Sequence, residues 1–453
     1  MKTLFSISFL LISISLYSQA PDILWEHTYG GTLNDEAHAM RQTPDGGFIL
    51  AGTSYSSDLD IPDNYGSRDY CLVKTDAYGN LEWAHNYGGP GTDFCEDVAC
   101  AYDGGFIAIG YVLVPGGDIP ETFGSSDIWL VKTDIDGNLI WQKNYGGAGA
   151  EIGECIIQTS DGGYVFSGES SSIDGDVTGQ HGSGDVWVVK LDADGNIQWQ
   201  KCVGGTELDH AYSIDETTDG GFIVLADSYS SDGDVDVNHG EKDYLLCKLD
   251  GSGNLEWAHA YGGSGNEWAH SVKQTPDGGY IAAGYTESND GDVSGNHGTY
   301  DVWLIKTDSI GNLEWQKCLG GSAGDYGYDL KIGNDNNFFV TGISGSDDGD
   351  VTLHYGSPFL ADVWIIQLDI AGEIQWQKTI GGTQSDWGFA FMNLSDSTYV
   401  VSGLTGSTDY DVELTHGLQD FWLVKLGFCA QSQPGMPTGC RWLRRSQLGF
   451  HNM

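Results

Sequence analysis

Residues 301–321 read DVWLIKTDSIGNLEWQKCLGG, and variants of this stretch recur along the whole chain. The tryptophans of the recurring stretch are spaced by 58 residues, and the last interval is 61. An aspartate series keeps the same spacing and the same three-residue insertion. The two series are Trp25, Trp83, Trp141, Trp199, Trp257, Trp315 and Trp376, and Asp69, Asp127, Asp185, Asp243, Asp301, Asp362 and Asp420. Two series that share one insertion establish a tandem repeat of about sixty residues.

One repeat unit, residues 267–319, contains four short segments rich in aromatic and β-branched residues. The predicted strands are residues 270–274, 280–286, 301–307 and 313–319. Gly- and Asp-containing turns separate the first from the second and the third from the fourth, and a long polar loop joins the second to the third. Four short antiparallel strands in a unit of this length are typical of a β-propeller blade, so we predict an all-β fold.

The two ends of the repeat region predict a closed ring. The chain begins with a fourth strand at residues 23–29 and ends with a third strand at residues 420–426. Six complete blades lie between them, and the seventh requires the opening strand to pair with the closing three. Such pairing removes exposed strand edges. We therefore predict a signal peptide at 1–20, a seven-bladed propeller at 21–426 and a disordered, atypical tail at 427–453.

The N-terminus and the charge of the chain indicate an exported protein. Lys2, the apolar residues 4–16 and the small residues around Ala20 have the pattern of a signal peptide. No later segment reaches about eighteen apolar residues, so we expect no membrane insertion. The 65 acidic and 19 basic residues give a net charge of −46, which argues against nucleic acid and anionic membranes as partners. We expect a secreted or cell-surface protein that is a monomer.

Nine cysteines in an exported chain could form disulfides, but their placement argues against this. Cys71 and Cys247 lie in apolar strand-like runs. Cys202 and Cys318 occupy one repeat position two blades apart, and the chain contains no CxxC pair. We predict that most of the cysteines are buried thiols that behave as small apolar residues.

The repeat resembles the SBBP-type (seven-bladed β-propeller) repeats of secreted bacterial proteins. The resemblance rests on the run Asp-x-Trp-Leu-Val-Lys-x-Asp-x-x-Gly-Asn-Leu-x-Trp, the following Tyr-Gly-Gly and the Asp-Gly-Gly-Tyr before the second strand, and it covers residues 23–426. The resemblance implies the propeller fold. The repeats are also similar to the propeller regions of type IX secretion substrates, which usually carry a C-terminal sorting domain that is missing here. It implies no common enzymatic activity.

A third acidic series lies ten residues after each repeat tryptophan, where the chain enters the innermost strand. Its members are Asp35, Asp93, Glu151, Asp209, Glu267, Asp325 and Asp386. One hypothesis is a cation-binding ring at the mouth of the central channel. The alternative is structural, with each carboxylate accepting hydrogen bonds from amides of its own Gly-Gly loop.

The long loops between the second and third strands place oxygen-bearing side chains at alternate positions, a pattern that could hold calcium. The candidate ligands are Asp174 and Asp176; Asp232, Asp234, Asp236 and Asn238; and Asp290, Asp292 and Asn296. Asx-turns to nearby amides would produce the same pattern. In the same loops His181, His239, His297 and His416 precede glycine, and we interpret these histidines as turn residues.

The enzyme-like motifs of the chain belong to the repeat. Gly320–Gly324 matches GxSxG but is one of the Gly-Gly loops, and we expect no carboxylate pair that departs from the repeat. The predicted function is therefore a non-catalytic binding, adhesion or scaffold module that recognises an extracellular carbohydrate or protein on its long-loop face. The predicted ligand-binding residues are Trp268, Trp387, Asp325 and Glu267. The alternative hypothesis is an extracellular propeller enzyme, either a glycan hydrolase or lyase or a quinoprotein-like oxidoreductase.

Overall fold

The computed structural model describes residues 19–357, 360–394 and 397–428. These residues form 28 strands in seven four-stranded sheets, and they include no helix long and apolar enough to cross a membrane. The predicted all-β, seven-bladed propeller of antiparallel blades is confirmed. The predicted signal peptide and tail lie outside the described residues, except for 19–20 and 427–428.

The blades share one strand order, from the channel axis outward. The first strands are β2 (Asp35–Gln42), β6 (Asp93–Cys100), β10 (Glu151–Gln158), β14 (Asp209–Glu216), β18 (Glu267–Gln274), β22 (Asp325–Ile332) and β26 (Asp386–Asn393). The second strands are β3 (Phe48–Ser54), β7 (Phe106–Val112), β11 (Tyr164–Ser170), β15 (Phe222–Ser228), β19 (Tyr280–Thr286), β23 (Phe338–Ser344) and β27 (Thr398–Thr405). The third strands are β4 (Asp69–Thr75), β8 (Asp127–Thr133), β12 (Asp185–Leu191), β16 (Asp243–Leu249), β20 (Asp301–Thr307), β24 (Asp362–Leu368) and β28 (Asp420–Gly427). The fourth strands are β5 (Leu81–Tyr87), β9 (Leu139–Tyr145), β13 (Ile197–Val203), β17 (Leu255–Tyr261), β21 (Leu313–Leu319), β25 (Ile374–Ile380) and β1 (Asp22–Tyr29).

The ring closes as predicted, because β1 completes the seventh blade by pairing antiparallel with β28. Thr28 lies opposite Trp422, and Trp25 lies opposite Lys425. A side-chain bond reinforces the closure, since the Trp422 indole Nε1 donates to Glu26 Oε2 over 3.0 Å. In blades 3, 5 and 6 the equivalent indole donates instead to a glutamine of the fourth strand.

The hydrophobic core lies between the blades. The second and third strands are almost completely buried, because both faces of each sheet are covered by a neighbour. In one cluster, Phe166 and Trp187 of blade 3 pack with Ile109 and Leu130 of blade 2. The seven described cysteines are free thiols, and five of them are buried, in agreement with the prediction; Cys429 and Cys440 lie outside the described residues.

The two faces of the ring differ in their connections. The loops between second and third strands lie beside the connectors between blades, as the bond from Thr32 N to Asp58 Oδ1 (2.8 Å) illustrates. We call this side the long-loop face. The opposite side, the turn face, carries tight turns held by buried lysines of the third strands. Lys74 Nζ, for example, binds Asp45 Oδ2 at 3.0 Å and Glu82 Oε2 at 2.8 Å.

Glu26 provides a test of the closure. Burial raises the pKa of Glu26, so the stability that its neutral form contributes is lost as the pH rises above about 4.3, the ordinary glutamate value. We predict that Glu26→Gln, which restores the residue used in other blades, raises Tm at pH 8 and has little effect near pH 4. The reverse change in blade 3, Gln200→Glu, is the matched control and should lower Tm at pH 8. Equal Tm values for Glu26→Gln and the parent protein at pH 8 would contradict this prediction.

Candidate functional site

The first strands of neighbouring blades lie side by side around the axis and line a central channel. In each first strand the first and third residues are buried, whereas the second and fourth are partly exposed. Because side chains alternate along a strand, the second and fourth residues face the channel. The first strands begin at the long-loop face, so these residues form the channel mouth on that face.

The channel mouth is where the blades differ most clearly in chemistry. The second residues are Glu36, Phe94, Ile152, His210, Trp268, Tyr326 and Trp387. The fourth residues are His38, Glu96, Glu154, Tyr212, His270, Tyr328 and Phe389. Blades 5 to 7 contribute mainly aromatic rings, and blades 1 to 4 contribute most of the ionisable groups. A symmetrical ring therefore has a mouth with two unlike sides.

The aromatic side is a continuous set of ring contacts. Trp268 stacks on Tyr285, with ring centroids 4.9 Å apart, and Tyr285 meets Tyr326 edge-on at 4.7 Å. Tyr328 connects blades 5 and 7 through contacts with His270 at 5.0 Å and with Phe389 at 5.1 Å. Such contacts hold large rings in place, so this side forms a rigid apolar wall.

Three buried nitrogens around the mouth have no hydrogen-bond partner among the residues that the structure describes. They are Nε1 of Trp387, Nε2 of His270 and Nε of Arg68. Burial and the nearby cations Lys242 and His210 lower the pKa of His270 to about 3, so its imidazole is neutral at physiological pH. A buried polar atom without a partner costs free energy, and such atoms are candidates for bonds to a ligand or to water.

The charged side is built from two histidine–carboxylate clusters. His38 Nδ1 lies 3.1 Å from Glu96 Oε2, and His210 contacts Glu154 at 3.0 Å and Glu169 at 2.7 Å. Burial alone would lower the pKa of both histidines, but the adjacent carboxylates raise it to about 10, so both are cations. Arg68 NH2 binds Glu36 at 2.5 Å beside His38.

Glu96 and Glu154 are a carboxylate pair that departs from the repeat, so the expectation that no such pair exists is wrong. They occupy equivalent positions in adjacent blades, and every other blade has a histidine or an aromatic residue there. Burial raises the pKa of Glu154. Burial also acts to raise the pKa of Glu96, but the charge and hydrogen bond of His38, together with the charges of Arg68 and His210, outweigh it and lower that pKa. Aligning the seven repeats position by position would have revealed the pair.

The predicted site residues fall in different environments. Trp268 and Trp387 lie in first strands at the mouth, and Lys242 Nζ sits 4.5 Å from the Trp268 ring centroid. Glu267 and Asp325 are fully buried, each accepting a hydrogen bond from a Gly-Gly amide, Gly263 N at 2.9 Å and Gly321 N at 2.7 Å. The same bond recurs in all seven blades, which is the structural alternative stated above.

The long-loop carboxylates also bind the neighbouring connectors. Asp174, Asp232 and Asp290 each accept an amide hydrogen bond of 2.7–2.8 Å from the connector. Asp176 and Asp292 each accept a longer bond of 3.3 Å from the first glycine of the Gly-Gly loop. Asp236 binds His259 at 2.9 Å, and Asp234 Oδ2 lies 3.8 Å from Lys201 Nζ. The side-chain amides of Asn238 and Asn296 donate to the carbonyls of Ser228 and Thr286, the last residues of the preceding second strands. Calcium binding by these loops stays a prediction.

The loop histidines have a partner that the sequence analysis missed. His181, His239, His297 and His416 each place Nδ1 2.6–2.9 Å from Oδ2 of the aspartate that begins the third strand, four residues later. In blade 1 the Tyr65 amide binds Asp69 instead. In blade 6 the Tyr355 amide binds Asp362, and His354 Nε2 lies 3.8 Å from Oδ2 of the same aspartate. Burial and nearby carboxylates raise the pKa of Asp69 to about 7 and that of Asp362 to about 8.

Asp69 gives a second test. Its Oδ1 is buried and has no hydrogen-bond partner in the described ranges, and its raised pKa means that its neutral form stabilises the fold and its ionisation destabilises it. We predict that Asp69→Asn raises Tm at pH 8, with a gain that shrinks as the pH falls toward about 4, the ordinary aspartate value. Asp185→Asn is the matched control, and we expect a smaller gain, because burial also raises the pKa of Asp185 but the hydrogen bond and charge of His181 oppose that shift. Equal gains in both variants would contradict the proposed effect of the missing histidine.

A cavity of about 550 Å³ lies away from the channel, between the outer parts of blades 5 and 6. Its lining includes Lys317 and Glu373, which bind each other at 2.5 Å. Its aspartate, Asp350, accepts the Gly320 amide at 3.3 Å. Its charged groups are thus already engaged in contacts between the blades, and the channel mouth is the better candidate site.

Comparisons with known proteins leave the site unassigned. No protein-family model matches the chain. The regulatory protein FlaEY of Caulobacter vibrioides is 31% identical over 141 residues, which span 28% of this chain and 15% of that relative. Among solved structures, the WD40 domain of Neurospora crassa Pan2 is 9% identical with a TM-score of 0.48, covering 89% of this chain and 95% of that one. A Dyadobacter fermentans protein of unknown function is 13% identical with a TM-score of 0.46, covering 90% of this chain and all of that one. The protein is a seven-bladed β-propeller, and these similarities say nothing about its ligand.

Proposed function

We propose that the protein is a secreted binding module whose channel mouth recognises a carbohydrate. The single observation behind this proposal is the break in symmetry at the mouth, where aromatic rings gather on one side together with unpartnered ring nitrogens. Residues repeated in every blade serve the fold, whereas a ligand site needs a combination that occurs once. Export, surface attachment and membership of the SBBP-type repeat family belong to the same proposal.

The chemistry of the mouth suits a sugar. Aromatic faces bury the C–H surface of a pyranose ring, and a few convergent polar groups then fix its orientation. Nε1 of Trp387 is a donor with no acceptor among residues 19–357, 360–394 and 397–428, and a sugar hydroxyl or ring oxygen would supply one. Across the mouth, Arg68 and Glu36 are partly exposed and could bond further hydroxyls.

The charged side favours a neutral ligand over a strongly charged one. Its cations Arg68, His38 and His210 are each paired with glutamates at 2.5–3.1 Å. These pairs leave little net charge at the mouth although the chain as a whole is very acidic. Calcium in the long loops would act at a distance from this site, by stabilising the rim.

Glycoside hydrolysis is a second candidate function, and the Glu96–Glu154 pair favours it. Environments that push the pKa values of two carboxyl groups apart are typical of an acid and a base acting together. Glu154 would be the general acid that donates a proton to the leaving oxygen, and Glu96 would be the second, ionised carboxylate that the reaction requires. Release of reducing ends from a bound glycan, abolished by Glu154→Gln without loss of binding, would identify the protein as this enzyme. Binding without release would leave it a lectin-like module.

The binding test uses a glycan and protein array with the purified propeller, run in calcium and in EDTA. For a glycan hit we predict that Trp387→Ala weakens Kd by about tenfold or more, because one aromatic face and one donor are lost. Trp387→Phe keeps a ring but loses Nε1, and it should fall between the parent and the alanine variant. The control is Tyr78→Ala, a residue of the turn face with 72% exposure, which should bind as the parent does.

Two array outcomes would contradict the proposed carbohydrate site at the mouth. Hits confined to proteins would replace the carbohydrate by a protein ligand. A glycan hit with unchanged Kd in Trp387→Ala would move the site away from the mouth. Equal binding in calcium and EDTA would remove calcium from the proposal without affecting the mouth.

A further inference from the structure

The half of the channel toward the turn face differs from the mouth because three basic side chains line it. Arg41, Lys273 and Lys331 are the seventh residues of β2, β18 and β22, on the channel side of their strands. Their side chains are 31%, 25% and 30% exposed, so they remain accessible from the channel. The chain has only 19 basic residues against 65 acidic ones, so three cations at one level of the channel are an unusual local concentration.

Each cation has one carboxylate partner. Arg41 binds Asp97 at 2.7 Å, Lys273 binds Asp215 at 2.9 Å and Lys331 binds Asp329 at 2.6 Å. Formal charges therefore balance. Each carboxylate would neutralise its cation fully only if it accepted no other hydrogen bonds.

All three carboxylates are shared with backbone amides, Asp215 through a longer bond of 3.5 Å from the Gln274 amide. Asp97 accepts the amides of Val98 at 2.8 Å and Ile156 at 3.0 Å, and Asp329 accepts those of Leu330 and Phe391, both at 2.9 Å. These hydrogen bonds hold Asp97 and Asp329 in place between neighbouring blades, and the amide donors partly neutralise the negative charge of the two carboxylates. Within the described part of the chain each lysine ammonium, which has three donors, contacts one carboxylate, and Arg41 bonds to Asp97 and to the Met40 carbonyl. Each cation therefore retains N–H donors that can bind a ligand.

The cations also act on one another. Burial lowers the pKa of Lys331, Asp329 opposes this shift, and Lys273 and Arg41 lower the pKa further. The positive charges of Lys273 and Arg41 therefore repel the ammonium of Lys331 across the channel. Mutual repulsion of this kind is relieved when an anion binds between the cations.

We propose that Arg41, Lys273 and Lys331 form an oxyanion site in the turn-face half of the channel, separate from the carbohydrate site at the mouth. Its ligand chemistry is a carboxylate, sulfate or phosphate group with at least two acceptor oxygens. Arg41 provides a planar pair of donors, and the two lysines provide point charges. The group can come from a free inorganic anion or from an acidic sugar, and these two sources share the same recognition.

The test measures binding of inorganic phosphate to the full propeller at pH 7 by calorimetry, with chloride at matched ionic strength as the reference. We expect one phosphate per chain and a rise in Tm of about 1–2 °C over the chloride reference at ten times Kd. Lys273→Gln and Lys331→Gln should each weaken Kd by about tenfold or more. Methyl glucuronoside, which carries one carboxylate on a sugar, is titrated in parallel. Tighter binding of the glucuronoside identifies an acidic sugar as the source, and tighter binding of phosphate identifies a free anion.

Three controls keep the outcome decisive. Lys317→Gln removes a lysine of similar exposure, 33%, on an outer strand and should leave phosphate binding unchanged. Lys331→Arg keeps the charge and should bind within about threefold of the parent, which separates loss of the site from loss of the fold. Absence of phosphate binding, or equal Kd values in the parent and both glutamine variants, would overturn the proposal. Trp387→Ala should bind phosphate normally, so failure of the mouth and failure of this site are distinguishable.

Discussion

The pairing of β1 with β28 is the constraint on which the rest of the structure depends. The first and last strands of the described residues belong to one blade, so the ring cannot close until these two strands meet. Closure fixes the number of blades at seven and brings every first strand to the axis. It also removes the free strand edges that an open array would expose. The channel, and with it both proposed sites, exists only because this sheet is shared by the two ends.

The repeated polar residues maintain the interfaces between blades. The carboxylate that begins each first strand is buried and accepts a Gly-Gly amide, and the long-loop aspartates bind the connectors. Tyr29 donates to the Gly79 carbonyl of the next blade, and Tyr145 does the same to Gly195. Buried carboxylates are costly unless they are hydrogen-bonded, and these bonds explain why they recur in every blade. The strong negative charge of the chain thus has a structural component.

The fold could be predicted from the sequence because Trp315 and its equivalents repeat at constant spacing, and because the ends are incomplete in complementary ways. The candidate site could be predicted only in part. Trp268 and Trp387 stood out as departures from the repeat, but Glu96 and Glu154 become visible only when equivalent positions are compared across all blades. The pairing of His181 with Asp185 depends on the path of an irregular loop. The unpartnered nitrogen of Trp387 depends on packing, which a pattern of residue types does not contain.

Hydrogen exchange of the amides in β1 tests the closure most directly. If β1 is the outer strand of a complete blade, its amides should exchange as slowly as those of β13, the fourth strand of blade 3, under native conditions. Both strands pair with one buried neighbour, so β13 is an internal reference for the same environment. Exchange of β1 at the rate of an unstructured peptide, with β13 still protected, would show that the ring is open and would contradict the account.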